Sequence, residues 1–161
     1  MSRILLVGVL GKLKGYVEAD YEIRGESGRI YHSYMPLQAL YDYFSEEGRD
    51  VDLLIFMPES LLALKERNYS IEQVEELIGN REELKRELLE EIFWEKIGEN
   101  TSEIISSIGE YKFLKNDNRM VFQVPYDNVV IEIFVTLMDK VVGRNYSEIR
   151  ADISTGHNIY V

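Results

Sequence analysis

Apolar residues along this chain fall into short unbroken runs and into stripes spaced by three and four, and the two patterns alternate. Arg3 to Val9, RILLVGV, is a continuous run of the kind that fills a strand buried on both faces. Val51 to Met57, VDLLIFM, is a second one. Between them Tyr16 to Arg24 alternates like a strand and Gly25-Glu26-Ser27-Gly28 supplies a turn, which predicts a small hairpin or extended excursion. A first helix is predicted over Tyr31 to Glu47, with Tyr34, Leu37, Ala39, Leu40, Tyr43 and Phe44 as its apolar stripe. Pro36 falls in its opening turns and Gly48 marks its end.

From Ser70 the pattern reads as helical almost to Gly109. Ser70 and Gln73 form a capping box, Val74, Leu77, Ile78, Leu84, Leu88, Leu89, Ile92 and Phe93 keep the helical period, and Gly79 or Asn80 divides the run. Tyr111 to Leu114 and Met120 to Val124 read as short strands on either side of a turn. Asp127 or Asn128 then caps a helix striped by Val130, Ile133, Phe134, Leu137, Met138 and Val141, where the three-and-four spacing outweighs the β-branched content. Gly143 ends it, and Glu148 to Ile153 is the last strand. This order predicts an α/β fold with a Rossmann-like, mostly parallel sheet flanked by helices on both faces. The whole span 1–161 reads as one domain with a helical insertion at about 60–109.

Composition narrows the class. At 161 residues the chain buries about 70% of its unfolded surface without a staple, and it contains no cysteine, which excludes disulfides and thiolate metal sites. With no signal peptide and no long apolar run, the expectation is a cytoplasmic protein without a membrane span. The formal charge of −11 argues against wrapping long nucleic acid. Ten Glu between Ile71 and Asn100 face only Arg81, Lys85, Arg86 and Lys96, so the acid belongs to one helical region. Those charges are spaced as a solvated helix face rather than a metal site, and Trp94 reads as core. No metal and no cofactor is expected. Met1 to Pro36 carries five basic and four acidic residues, so a small anion near the N-terminal loops is electrostatically tolerable.

The candidate chemistry lies where predicted strands end. In an open parallel sheet, ligands bind beyond the carboxyl ends of the strands, where loops expose amides and short hydroxyl side chains. Asp152-Ile153-Ser154-Thr155-Gly156-His157-Asn158 fits that description. Gly8, Gly11 and Gly15 follow the first strand with a spacing that matches neither the dinucleotide fingerprint nor the phosphate-binding loop, so spacing alone makes it a flexible turn. Ser60, after the second strand, either donates to a ligand or caps the helix that begins there, and capping is the preferred reading.

These segments resemble a known family. Asp152 to Asn158 resembles the Asp-Leu-Thr-His-Gly-x-Asn signature of CARF domains, the Rossmann-like sensors of type III CRISPR systems. The glycine loop after the first strand, Asp20-Tyr21-Glu22-Ile23, Leu37-Gln38-Ala39-Leu40-Tyr41 and Met57-Pro58-Glu59-Ser60-Leu61 are similar to the same domain in its archaeal branch fused to a HEPN ribonuclease. Ser154 stands where that signature usually has Thr, Thr155 where it usually has His or Tyr, and His157 in its variable position.

The resemblance implies binding of a cyclic oligoadenylate, most often the cyclic tetra-adenylate, at the two-fold interface of a homodimer, with no membrane partner. It points to Leu10, Gly11, Lys12, Ser33, Glu59, Ser60, Ser154, Thr155, Gly156, His157 and Asn158 as ligand contacts. It also implies an effector domain following the signature in a longer parent chain, and none is present here. Arg150 and His157 have the spacing of a HEPN catalytic pair but straddle a strand and the signature loop, so the match is accidental. The leading expectation is a sensor that regulates a downstream ribonuclease. A ring nuclease that cleaves the ligand by metal-free attack of a ribose 2′-hydroxyl, using Lys12, Ser154 or Thr155, is the alternative. A generic nucleotide-binding module of Rossmann type is the third.

Overall fold

A computed structural model describes residues 2–23, 28–113, 115 and 117–152. Its centre is a sheet of four parallel strands in the order β5-β4-β1-β8, built from β1 (Arg3–Val9), β4 (Asp50–Pro58), β5 (Ser102–Ile105) and β8 (Glu148–Asp152). The unbroken run in β1 has the expected cause. It is paired on both edges, Leu6 facing Leu53 on one side and Arg150 on the other, and alternate residues fill cores on opposite faces.

Ile4, Leu6, Ile55, Met57 and Ile104 belong to the core shared with α1 (Pro36–Glu46), α2 (Ile71–Gly79) and α3 (Arg81–Leu89). Leu5, Val7, Val9, Leu54, Phe56 and Ile105 pack beneath Ile133, Leu137 and Val141 of α4 (Tyr126–Val141). Helices therefore cover both faces, in the α/β Rossmann-like arrangement the sequence predicts. A hairpin of β2 (Ala19–Glu22) with β3 (Ile30–Ser33) and another of β6 (Ile108–Lys112) with β7 (Arg119–Gln123) lie outside the central sheet.

Several boundaries differ from the periodicity. The first helix begins at Pro36 rather than Tyr31, because the residue before a proline is pushed out of helical backbone: Met35 is extended, with φ −155° and ψ 153°. Tyr31 to Ser33 instead pairs with β2. The segment about 60–109 is not helical throughout. The capping box at Ser70 and the break at Asn80 are present, but after α3 the chain turns irregularly and then supplies β5, an edge strand of the central sheet. Thr101 accepts a hydrogen bond from the Gly98 amide at 2.9 Å and Ser102 Oγ donates to the Gly98 carbonyl at 2.7 Å, which closes the turn that starts this strand.

Ser60 does not cap a helix. Pro58 precedes a 3-10 helix, Glu59–Leu64, that has no side-chain cap. Neither Asp127 nor Asn128 caps α4, whose N-cap is Pro125. Trp94 is core, at 6% exposure.

Candidate functional site

The site is set by register. Gly8 of β1 pairs with Asp152, the last residue of β8, so the loop after β1 starts beside the end of β8 at the carboxyl edge of the sheet. Gly8 also lets α1 approach: a Cβ there would lie 2.8 Å from Leu37 Cδ2. The amino end of α1 is thereby held over the end of β1. On the flank of β8, Arg49 donates to Glu148 at 3.1 Å, and the guanidinium groups of Arg49 and Arg150 lie 5.3 and 4.9 Å from the centre of the Phe44 ring. Hydrogen bonds from Arg49 and Arg150 hold the Glu148 carboxyl below its ordinary range. Arg150 thus stacks on the core in mid-strand.

The loop after β1 is anchored by its apolar residues and presents its polar ones. Leu10 and Leu13 are buried, and the Leu10 amide donates to the Phe56 carbonyl at 2.9 Å. Leu10 can therefore offer a ligand only its backbone. Lys12 Nζ donates to the Gly15 carbonyl at 2.8 Å and lies 4.5 Å from the centre of the Tyr16 ring. Tyr16 donates in turn to the Lys12 carbonyl at 2.9 Å, and Gly15, at φ +75°, supplies the left-handed turn that closes this ring of contacts. Burial pushes the Tyr16 phenol up to about 12, so it remains a neutral donor. Lys12 makes no ion pair with a carboxylate among the described residues, which leaves its charge available to an anion.

The loop after β4 behaves differently. Glu59 and Ser60 are both buried. A Glu59 carboxylate oxygen accepts from the Ser107 amide at 3.1 Å, and the Ser60 amide donates to Ser107 Oγ at 3.0 Å. Beside them Arg81 donates to the Ile104 carbonyl and to Ser106 Oγ, both at 3.0 Å, and pairs with Glu132, which also accepts from the Ser106 amide at 2.9 Å. Burial pushes the Glu59 carboxyl up, against the opposing pull of the Ser107 amide and of Arg81. This network stitches β4, β5, α3 and α4 together at the rim. Glu59 and Ser60 act in it as ties between elements.

Ser33 closes β3 opposite Ala19, buried to 1% exposure, and its hydroxyl has no hydrogen-bond partner among the described residues. Ser154, Thr155, Gly156, His157 and Asn158 lie outside the described residues, as does Ile153.

An aromatic row near the Lys12 loop escaped the sequence reading. Tyr16 packs on Phe93 with ring centres 4.4 Å apart, and Phe93 meets Tyr34 edge-on at 5.4 Å. The signal was hidden because Phe93 lies 59 residues beyond Tyr34 and 77 beyond Tyr16, in the irregular stretch after α3.

At the opposite, amino edge of the sheet a cleft of about 490 Å³ is lined by Asp52, Glu103, Lys140, Arg144 and Tyr146. Its charges are matched internally, with Lys140 to Glu103 at 3.4 Å and Arg144 to Asp52 at 4.0 Å. None of the described helices is long and apolar enough to cross a membrane.

A family model described as CRISPR system endoribonuclease Csx1, CARF domain, matches residues 5–161. No curated protein matches the chain.

Proposed function

The chain belongs to the family of Csx1 CARF domains, and from that premise we propose that it is a homodimeric sensor of a cyclic oligoadenylate, the cyclic tetra-adenylate, in type III CRISPR defence. The observation that supports this reading is the Gly8–Asp152 pairing, which sets the end of β1, from which the Lys12 loop leaves, beside Asp152, the first residue of the signature. Backbone amides, hydroxyls and one ammonium at such an edge neutralise phosphates without a basic surface, consistent with a chain of net charge −11. Lys12, Gly11, Ser154, Thr155 and Gly156 serve the phosphates in this reading. Asn158, whose amide both donates and accepts, serves an adenine edge.

A ring of four identical nucleotides contains a two-fold axis, so two copies can offer it the same loops. Self-association has support of its own. Ile131, Phe134, Val135, Met138 and Val142 stand 40–68% exposed beside the stripe with which α4 packs on the sheet. Ile131, Val135 and Met138 follow a four-three spacing along α4, the rhythm of one exposed apolar helix face. A two-fold axis along the strands sets α4 parallel to its copy and brings both rims to the same end. Ligand binding then shifts the dimer toward one state, which a downstream ribonuclease in a longer parent chain reads out.

The test is to incubate the purified chain with labelled cyclic tetra-adenylate in the absence of metal and to follow both retention and products. Intact ring retained by the protein is the expected result. Linear products would convert the sensor into a ring nuclease, and no retention would overturn the reading.

A further inference from the structure

Tyr34 differs from its neighbours in a way the fold does not require. Ser33 and Met35 on either side of it are buried to 1%, whereas Tyr34 is 41% exposed at the entry to α1. It is nevertheless held. The Tyr34 amide donates to the Gln38 side chain at 3.2 Å, which fixes its backbone, and Phe93 braces the ring at 5.4 Å with the planes 67° apart. Phe93 is itself backed by Tyr16 at 4.4 Å, and Tyr16 carries the Lys12 ammonium 4.5 Å from its ring centre. A cation and three rings thus follow one another from the β1 loop to the start of α1.

We propose that Tyr34 is a stacking seat for an adenine base of the ligand whose phosphate is held at Lys12, so that the segment after α3 shapes base recognition by bracing it through Phe93. The inference rests on the oligoadenylate reading above and adds a specificity residue to it. A rigid, half-exposed aromatic ring presents a π-face to a base without the ordering penalty of a mobile side chain, and stacking works on any face a base offers. Lys12, at the other end of the row, supplies the point charge that a phosphate needs.

The experiment compares binding of labelled cyclic tetra-adenylate to the unaltered chain, Tyr34→Phe, Tyr34→Ala and Lys12→Gln across a range of salt concentrations. Loss of a base stack predicts that Tyr34→Ala binds about 5- to 100-fold more weakly, with the salt dependence unchanged, and that Tyr34→Phe stays within about threefold of the unaltered chain. Lys12→Gln, which removes a phosphate contact, flattens the salt dependence. Unaltered affinity in Tyr34→Ala, or equal weakness in Tyr34→Phe, overturns the seat while leaving the sensor reading intact. Failure of the unaltered chain to bind overturns both.

Discussion

Gly8 and Leu37 are in contact across the end of β1, so close that a methyl group on Gly8 would lie 2.8 Å from Leu37 Cδ2. This approach seats α1 over the strand whose loop carries Lys12. Because Leu37 is fully buried, it has no free direction in which to move. Gly8→Val should destabilise the domain by about 1–3 kcal/mol through overpacking, read as a lower urea midpoint with an unchanged slope. The same variant should weaken ligand binding, since the rim shifts with α1.

Lys65 is buried to 1% and bonds the Glu87 carboxylate at 2.8 Å, the Glu87 carbonyl at 2.6 Å and Glu90 at 3.1 Å. It ties the 3-10 helix to α3. Lys65→Met removes one partner from a half-buried cluster that also includes Arg67 and Tyr69, and should cost about 3 kcal/mol in chemical denaturation. Burial pulls the Glu87 carboxyl upward, but its bonds with Lys65 and Tyr69 win and hold it below the usual 4.5. A depressed carboxyl contributes stability that is complete above the unfolded value and lost as pH falls through the folded one. The excess stability of the unaltered chain over Glu87→Gln should therefore shrink below about pH 4.5.

Glu59 shifts the other way. With its carboxyl raised by burial, the folded state holds the proton more tightly than the unfolded one, so folding weakens as pH climbs from about 4.5 through the raised value. Glu59→Gln keeps an oxygen for the Ser107 amide and loses this charge. Its thermal midpoint should exceed that of the unaltered chain at pH 7, and the advantage should vanish in acid.

The α4 stripe is testable by chemistry, because the chain has no cysteine of its own. Parallel pairing of α4 with its copy predicts that Ile131→Cys and Met138→Cys, taken singly, each give disulfide-linked dimers under mild oxidation. Antiparallel pairing would link neither end to itself. Phe134→Glu should shift the chain to monomer in sedimentation.

Much of the central sheet was legible because strands buried on both faces leave unbroken apolar runs, as in Arg3–Val9. β5 was not. Its four residues, Ser102–Ile105, are too few to break the helical rhythm of the glutamate-rich stretch before them, and only the Gly98–Ser102 turn marks the change. The capping box at Ser70 was readable since both partners lie three residues apart, while the Glu59–Ser107 tie spans forty-eight and leaves no local trace. Lys12 entered only as a contact that the family resemblance implies, and Tyr34 was counted in the apolar stripe of a helix that in fact begins at Pro36. Its neighbour Phe93 comes from another element altogether.

The central claim is a ligand shared between two copies at the carboxyl edge of the sheet. Isothermal titration of the chain with cyclic tetra-adenylate, run beside native mass spectrometry, tests it most directly. The account predicts saturation at one ring per two chains and a complex of two chains with one intact ring. One ring per chain, or no heat and no complex with the ligand in excess, would contradict it.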